Sequence, residues 1–241
     1  MPHIAHIFWM HKRRYGARRI AVELAAMGKS CGVDRVAKLM KTLDLRAIQP
    51  KSFKPRTTES RHSLGYSPNL LLSAPPPQKI NQIWVGDITY VPLRYGVFAY
   101  LALLMDLFSR RIVGWELAQH MTEELVLSAL RQAIRSRQPK PGLIHHTDRG
   151  GQYAGNQYRS ILRRAEIRQS MNRPANCYDN AFMESCFGTI KTELEITEYE
   201  NVAITRREIA SYLAYYDLER RHSRLNYLAP YAFEVKHANK I

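Results

Sequence analysis

The 241-residue chain carries 36 Lys and Arg against 21 Asp and Glu, a net charge of +15, with 45% hydrophobic residues. That composition is globular rather than disordered, and the length allows a sizeable buried core. The longest apolar run, Val97–Met105, is too short to span a bilayer, Met1–Arg14 lacks a secretory apolar core, and three cysteines (Cys31, Cys177, Cys186) are too few for a disulfide scaffold, so a cytoplasmic protein without a membrane partner is expected.

In chain order, Tyr15–Met27 reads as a helix, with Ile20, Leu24 and Met27 on one face and Gly28 placed to stop it. Val33–Leu43 reads as a second helix, with Val36, Leu39, Met40 and Leu43 aligned. The pair resembles a helix-turn-helix unit, and residues 1–46 are read as a basic, DNA-binding helical segment. Residues 47–80 are broken by prolines and read as a linker. Ile83–Val91, Val97–Met105 and Arg111–Leu117 read as an antiparallel meander. A helix follows, with Thr122 as N-cap and Pro139 and Pro141 ending it. Gly142–Thr147 reads as a strand, Gly155–Ala165 as a helix, Ile167–Met171 as a strand, and a further helix begins near Asp179-Asn180. The prediction is an α/β core over residues 81–197 with a mixed five-stranded sheet flanked by helices, then a helical extension over 198–241.

The charge is uneven. Residues 1–79 hold 15 basic and 4 acidic groups, a balance of +11, which leaves +4 for the rest. A surplus of that size favours a polyanion through phosphate contacts and counterion release.

Three acids stand out. Asp87 lies within the first strand, Asp148 ends the fourth, and Glu184 lies on the helix that follows Asn180. Acids beside buried strands are costly unless paired or bound to a metal. A divalent cation relieves the repulsion between converging carboxylates, and few hard oxygen ligands suit Mg²⁺ or Mn²⁺, two ions in this reading. At about 100° per residue, Asn180, Glu184, Gly188 and Lys191 share one stripe of the helix. The glycine there would let a backbone approach, and the lysine could meet a phosphate. An exposed Glu–Lys stripe is the plainer reading of the same pattern. Asp106 is a turn residue paired with an arginine, or an alternative ligand. Asp179 reads as a helix cap, and His145 and His146 as packed histidines. His3 and His6 have no paired cysteines behind them, so zinc is not expected.

There are 35 residues between Asp148 and Glu184, and Lys191 follows seven after Glu184. With Trp84-Val-Gly-Asp-Ile-Thr-Tyr90, Met105-Asp-Leu-Phe-Ser-Arg-Arg-Ile-Val-Gly-Trp115, His145-His-Thr-Asp-Arg-Gly-Gly-Gln-Tyr153, Asn176-Cys-Tyr-Asp-Asn-Ala-Phe-Met-Glu184 and Tyr215-Tyr-Asp-Leu-Glu-Arg-Arg-His-Ser-Arg-Leu225, the chain resembles the D,D(35)E recombinases. The nearer likeness is to the second reading-frame product of IS3-family insertion-sequence transposases. The resemblance implies an RNase H-like integrase core with Asp87, Asp148 and Glu184 as catalytic, metal-binding triad. It implies DNA contacts from Lys191, and Arg149, Gln152, Tyr153 and Asn180 match motif positions read as DNA-binding, as are Arg18 and Arg19 of the front segment. Arg220, His222 and Ser223 match a C-terminal signature with a structural role. Asp217 stands where the family often has Asn, Asn226 where it often has Gly, and Thr147 where Ser is usual. The implied reaction is metal-dependent cleavage at the element's terminal inverted repeats, then transfer of the strand into target DNA. The implied partners are that DNA, further copies of the chain, and the upstream reading-frame product as fusion or companion, in a bacterial, nucleoid-associated setting. The other reading is a regulatory or inhibitory DNA-binding partner of the full-length fusion.

Overall fold

The computed structural model describes residues 1–49, 64–174, 177–195 and 198–238. Cys177 lies in a described turn, but its side chain and that of Tyr178 are outside the description, as is the segment 50–63 of the proline-containing linker. Three helices open the chain: α1 (Pro2–Met10), α2 (Ala17–Ala26) and α3 (Val33–Thr42). The two expected helices are α2 and α3. The first helix was not expected, because its His and Trp residues mask an i, i+3, i+4 trio: Ile4, Ile7 and Phe8 are all buried. They meet Tyr15, Ile20, Leu24, Val36 and Met40 in a small separate core.

The sheet comprises β1 (Ile83–Pro92), β2 (Phe98–Asp106), β3 (Ile112–Ala118), β4 (Ile144–Thr147) and β5 (Arg168–Met171), in the order β3-β2-β1-β4-β5. The meander β1-β2-β3 is antiparallel, while β4 and β5 run parallel to β1. Both faces are covered, which is why β2 is almost wholly apolar rather than alternating. Trp84 and Leu104 face α4 (Glu123–Arg137), the short α5 (Gly151–Ala154) and α6 (Asn156–Arg164). Val85 and Leu103 face α7 (Ala181–Glu193) and α8 (Val202–Leu218). At Gly114, α4 comes so close that an added Cβ would lie 2.2 Å from the Ala129 carbonyl oxygen, so only glycine fits there.

The outer edge of β3 is occupied by side chains. The Ile112 amide donates to Asp217 Oδ1 at 3.0 Å and the Trp115 amide to Gln132 Oε1 at 2.6 Å. Ser136 donates to the Val113 carbonyl, and Arg206 to the Leu117 carbonyl. On the opposite edge, part of the expected linker is packed. Leu70 and Leu71 lie against the core, the Leu70 amide donates to Ser170 Oγ at 2.9 Å, and the Met171 amide donates to the Pro68 carbonyl at 3.3 Å.

After α8, a turn with Asn226 at φ 51° and Tyr227 at φ 59° leads to α9 (Pro230–Ala238). The left-handed backbone explains the glycine preference at position 226, with Asn the next residue to tolerate it. Glu234 of α9 takes a two-pronged ion pair from Arg137, another from Arg111, and the Ser109 hydroxyl proton. These contacts hold its carboxyl below the usual range despite the burial that opposes them.

Candidate functional site

Register brings the first two acids together. Val85 pairs with His146 in the parallel β1–β4 ladder. Two residues further on, Asp87 and Asp148 fall level on neighbouring strands, at the point where β4 has ended and β1 continues. The start of α7 is pinned to this point, because Asn180 Nδ2 donates to the Gly86 carbonyl at 3.2 Å. Glu184 lies in the first turn of α7 with its side chain exposed. Asp87 Oδ1 accepts the Ile88 amide at 2.8 Å, and Asp148 Oδ1 accepts the Gly150 amide at 2.9 Å.

Asp148 and Glu184 both act on Asp87. Burial, then the charge of Asp148 and that of Glu184, push the Asp87 carboxyl well above the usual range, against the Ile88 amide and Lys191. Lys191 offsets only part of that negative charge, so a further cation at the acids would be favoured. Among the described residues no three His, Cys, Asp or Glu side chains already stand at ion-binding range. The donor set nevertheless suits a hard divalent ion: two carboxylates fixed by register and backbone amides, and a third on a long, exposed arm.

Lys191 lies about two turns along the same face of α7 as Glu184, its ammonium 4.3 Å from the centre of the Tyr90 ring. Burial lowers its pKa, and Asp87 works the other way. Tyr90 ends the first motif, but nothing in the sequence ties it to Lys191; the packing of α7 on β1 brings it beneath that lysine. The remaining motif residues mostly hold the site's walls. Arg149 Nε donates to the Asn172 carbonyl at 2.6 Å and its guanidinium covers the Tyr66 ring at 4.4 Å. Gln152 Nε2 donates to the Met121 carbonyl at 3.1 Å.

Tyr153 is buried behind the acids with a partnerless hydroxyl, its pKa raised by burial and then by Asp87. Asn180 is buried too, and its Oδ1 has no partner among the described residues. Both side chains are buried, away from the surface that DNA would reach, unlike the contacts expected of them. Arg18 is exposed on α2, whereas Arg19 donates to the Arg221 carbonyl at 3.0 Å and lies 3.8 Å from Glu193.

Neighbouring expectations divide. His145 is buried against the Tyr158 hydroxyl at 2.6 Å, and burial pushes its pKa down to about 3. His146 is bonded to Ser170 and Asn172. Both are packed histidines, as expected. Asp106 is a buried corner residue, but its partners are not an arginine: Oδ1 accepts the Phe108 and Ser109 amides and Oδ2 the Asn81 amide. Asp179 is no helix cap either. It accepts two guanidinium bonds and the backbone amide of Arg173 and one bond from Asn69, and Arg173 holds its carboxyl well below the usual range.

Gly188 shares the stripe with Glu184, and an added Cβ would meet nothing within 4 Å. Among the described residues no backbone outside the helix itself approaches it. The C-terminal signature is structural: Arg220 forks onto the buried Glu193 carboxylate at 2.7–3.0 Å and contacts His222. Tyr212 donates to the same carboxylate at 3.0 Å.

A mixed five-stranded sheet with helices on both faces, carrying acids on its central strand, after the adjacent strand and on the covering helix, belongs to the RNase H-like integrase class. The match to known proteins specifies it. Residues 77–177 and 165–230 match Integrase core domain families, and residues 1–53 match an HTH-like domain. The chain is 43% identical over 240 residues to the insertion element IS600 uncharacterized 31 kDa protein of Shigella sonnei, covering 97% of this chain and 85% of that one. It is 40% identical over 233 residues to the transposase for insertion sequence element IS904 of Lactococcus lactis, covering 96% and 91%. Against the transposase InsF for insertion sequence IS3A of Escherichia coli it is 38% identical over 231 residues, covering 95% and 80%.

The fold is also that of the simian T-cell lymphotropic virus intasome protein, at TM-score 0.56 and 16% identity over 96% of this chain and 74% of that one. The HTLV-2 integrase catalytic core domain, solved in complex with magnesium, aligns at TM-score 0.52 and 18% identity over 65% of this chain and 98% of its own. The chain belongs to the IS3-family insertion-sequence transposases: a polynucleotidyl transferase of DNA transposition with an HTH-like DNA-binding front.

Proposed function

We propose that this transposase cuts DNA at the ends of its element and joins the freed strand to a second phosphodiester, with Asp87, Asp148 and Glu184 as its catalytic and metal-binding residues. The observation that carries this reading is the convergence on Asp87: two further acids raise its carboxyl from neighbouring elements, with a lysine opposing them. Mg²⁺ or Mn²⁺, as two ions, would supply activation of the attacking oxygen and charge stabilisation at the phosphate.

The chain's own residues do the rest. Asp87, within β1, and Asp148, just after β4, hold two fixed oxygens on adjacent strands. Glu184 closes from α7, and Lys191 offers a cation to a phosphate beside them. Arg149, Gln152, Tyr153 and Asn180 keep the walls in place, with Arg149 and Gln152 reaching DNA at the rim. Arg18 presents its charge from α2, and Arg19 adds to the same positive surface. The DNA partners are the terminal inverted repeats and the target. Copies of the chain assemble on that DNA, with the upstream reading-frame product as fusion or companion, in the bacterial cytoplasm at the nucleoid.

The test is cleavage and joining of a DNA bearing the element's inverted repeats, in Mg²⁺, by wild type and Glu184→Gln. Loss of at least about a hundredfold is expected when one charge-stabilising group is removed from such a site. Equal rates would remove Glu184 from the chemistry.

A further inference from the structure

On the sheet face away from α7 and α8, a groove of about 460 Å³ runs between α4 and α6. Its floor is the half-buried Ile134 and Ile161, and its rims carry Arg131, Arg135 and Arg164. Among the described residues no acid lines it. Arg131 is paired with Glu124 at 2.5 Å, whereas Arg135 and Arg164 have no acid within ion-pair range among the described residues. The converse surface stands at the far end of β1. There the β1–β2 turn exposes Tyr95, Val97 and Phe98, with Tyr95 94% exposed. The loop between α7 and α8 is fastened to that turn: the Arg94 amide donates to the Tyr199 carbonyl at 2.8 Å, and the Tyr199 amide to the Pro92 carbonyl at 3.1 Å. With Tyr199 come Glu198 and Glu200, both exposed. From Thr192 to Thr205 the chain holds four acids and no Lys or Arg, in a molecule of net charge +15.

We propose that this aromatic, acidic knob of one copy docks in the arginine-rimmed groove of another; the proposal rests on the assembly of copies proposed above and names its surfaces. Charge and polarity match on both sides: Glu198 and Glu200 meet Arg135 and Arg164, while Tyr95 and its apolar neighbours cover Ile134 and Ile161. Complementary charge fixes partner and register in such contacts, and an exposed tyrosine is a common anchor. Tyr95 is held at φ 64°, uncommon for a bulky residue, and such strain persists where a contact needs the side chain placed. DNA fits these surfaces less well. The knob's carboxylates would repel a phosphate backbone. Asp87 shares the α7 side of β1 with Val85, so the sheet stands between the acids and the groove. The knob is distant as well, since Pro92 lies about 17 Å along the strand from Asp87.

The experiment measures sedimentation of the full chain without DNA at about 100 µM, a concentration that fills a contact of micromolar Kd. Wild type should sediment as an assembly that added salt weakens. Arg135→Glu with Arg164→Glu, and separately Glu198→Lys with Glu200→Lys, should each weaken association about tenfold or more, because like charges then face each other. The groove variant should do so although it lowers the positive charge by which copies repel. All four changes in one chain should restore association. Tyr95→Gly suits the left-handed backbone, so its thermal midpoint should hold while association falls. A monomeric wild type, folded pair variants that associate as wild type does, or a fourfold variant without rescue overturns the proposal. So does a groove variant that loses duplex affinity at unchanged association, which would give the groove to DNA.

The cleavage assay separates this from the reaction itself. Wild type that associates through these surfaces but cuts nothing supports the contact and removes the reaction. Wild type that cuts while remaining monomeric removes the contact alone.

Discussion

Asp217 holds the edge-strand amide of Ile112 with its Oδ1, and burial pushes its carboxyl up to about 7. An unfolded aspartate takes up its proton near pH 3.9. The penalty for keeping the folded carboxyl charged is therefore absent below about pH 4, grows as pH rises, and is complete above about 7. Asp217→Asn keeps the acceptor and drops the charge. Its gain in unfolding free energy over wild type should be near zero at pH 4 and largest above pH 7, reaching at most about 4 kcal/mol. Urea unfolding across that range reads this out, and a gain independent of pH would contradict the assignment. Tyr153 makes a second residue-scale case. Its buried hydroxyl has no partner, so Tyr153→Phe loses no hydrogen bond and sheds a desolvated donor. The thermal midpoint should hold or rise; a fall would mean that the hydroxyl is bonded in solution.

At the scale of elements, α7 is held at both ends. Asn180 ties its start to β1, and its last turn carries Glu193, whose carboxylate lies under Arg220 and whose carbonyl takes Arg14 Nε at 3.1 Å. Removing Arg220 leaves a buried carboxylate that, among the described residues, faces Tyr212 and the more distant Arg19. Arg220→Ala should cost about 3–5 kcal/mol, seen as a lower denaturant midpoint, while the double change Arg220→Met with Glu193→Leu should recover most of it. Equal losses in the single and double variants would show that packing, not charge, dominates there.

The same elements show what the sequence makes legible. The helices α2 to α4, α6 and α7 announce themselves because each buries one face of its own, and the five strands because short apolar, β-branched or aromatic runs stand between breakers. Asp87 and Asp148 are legible for a related reason: an acid in an otherwise apolar strand requires an explanation. What escapes is decided across the chain. α1 hides its three buried residues among polar ones, and Asp179 finds Arg173 instead of a helix end. Asp106 finds three backbone amides instead of an arginine. Residues 68–71 look like linker but bond to β5, because the amides they satisfy lie a hundred residues away.

For the whole molecule, the +15 charge divides into +11 over residues 1–79 and +4 over the remainder. A protein neutralising at least six phosphates should lose about a thousandfold in DNA affinity between 50 and 200 mM salt. A titration of duplex binding against salt tests this, and a flat profile would remove the electrostatic argument. The proposed assembly of copies on DNA would be constrained by the edges of the sheet. On β3, Asp217, Gln132, Ser136 and Arg206 occupy backbone groups that would otherwise offer themselves to a neighbour, and on β5 the Pro68 carbonyl takes an amide. A chain crowded along its DNA at high local concentration thus exposes little bare backbone onto which a second sheet could grow. Copies can be brought together by the nucleic acid without the risk of zipping into a continuous ribbon.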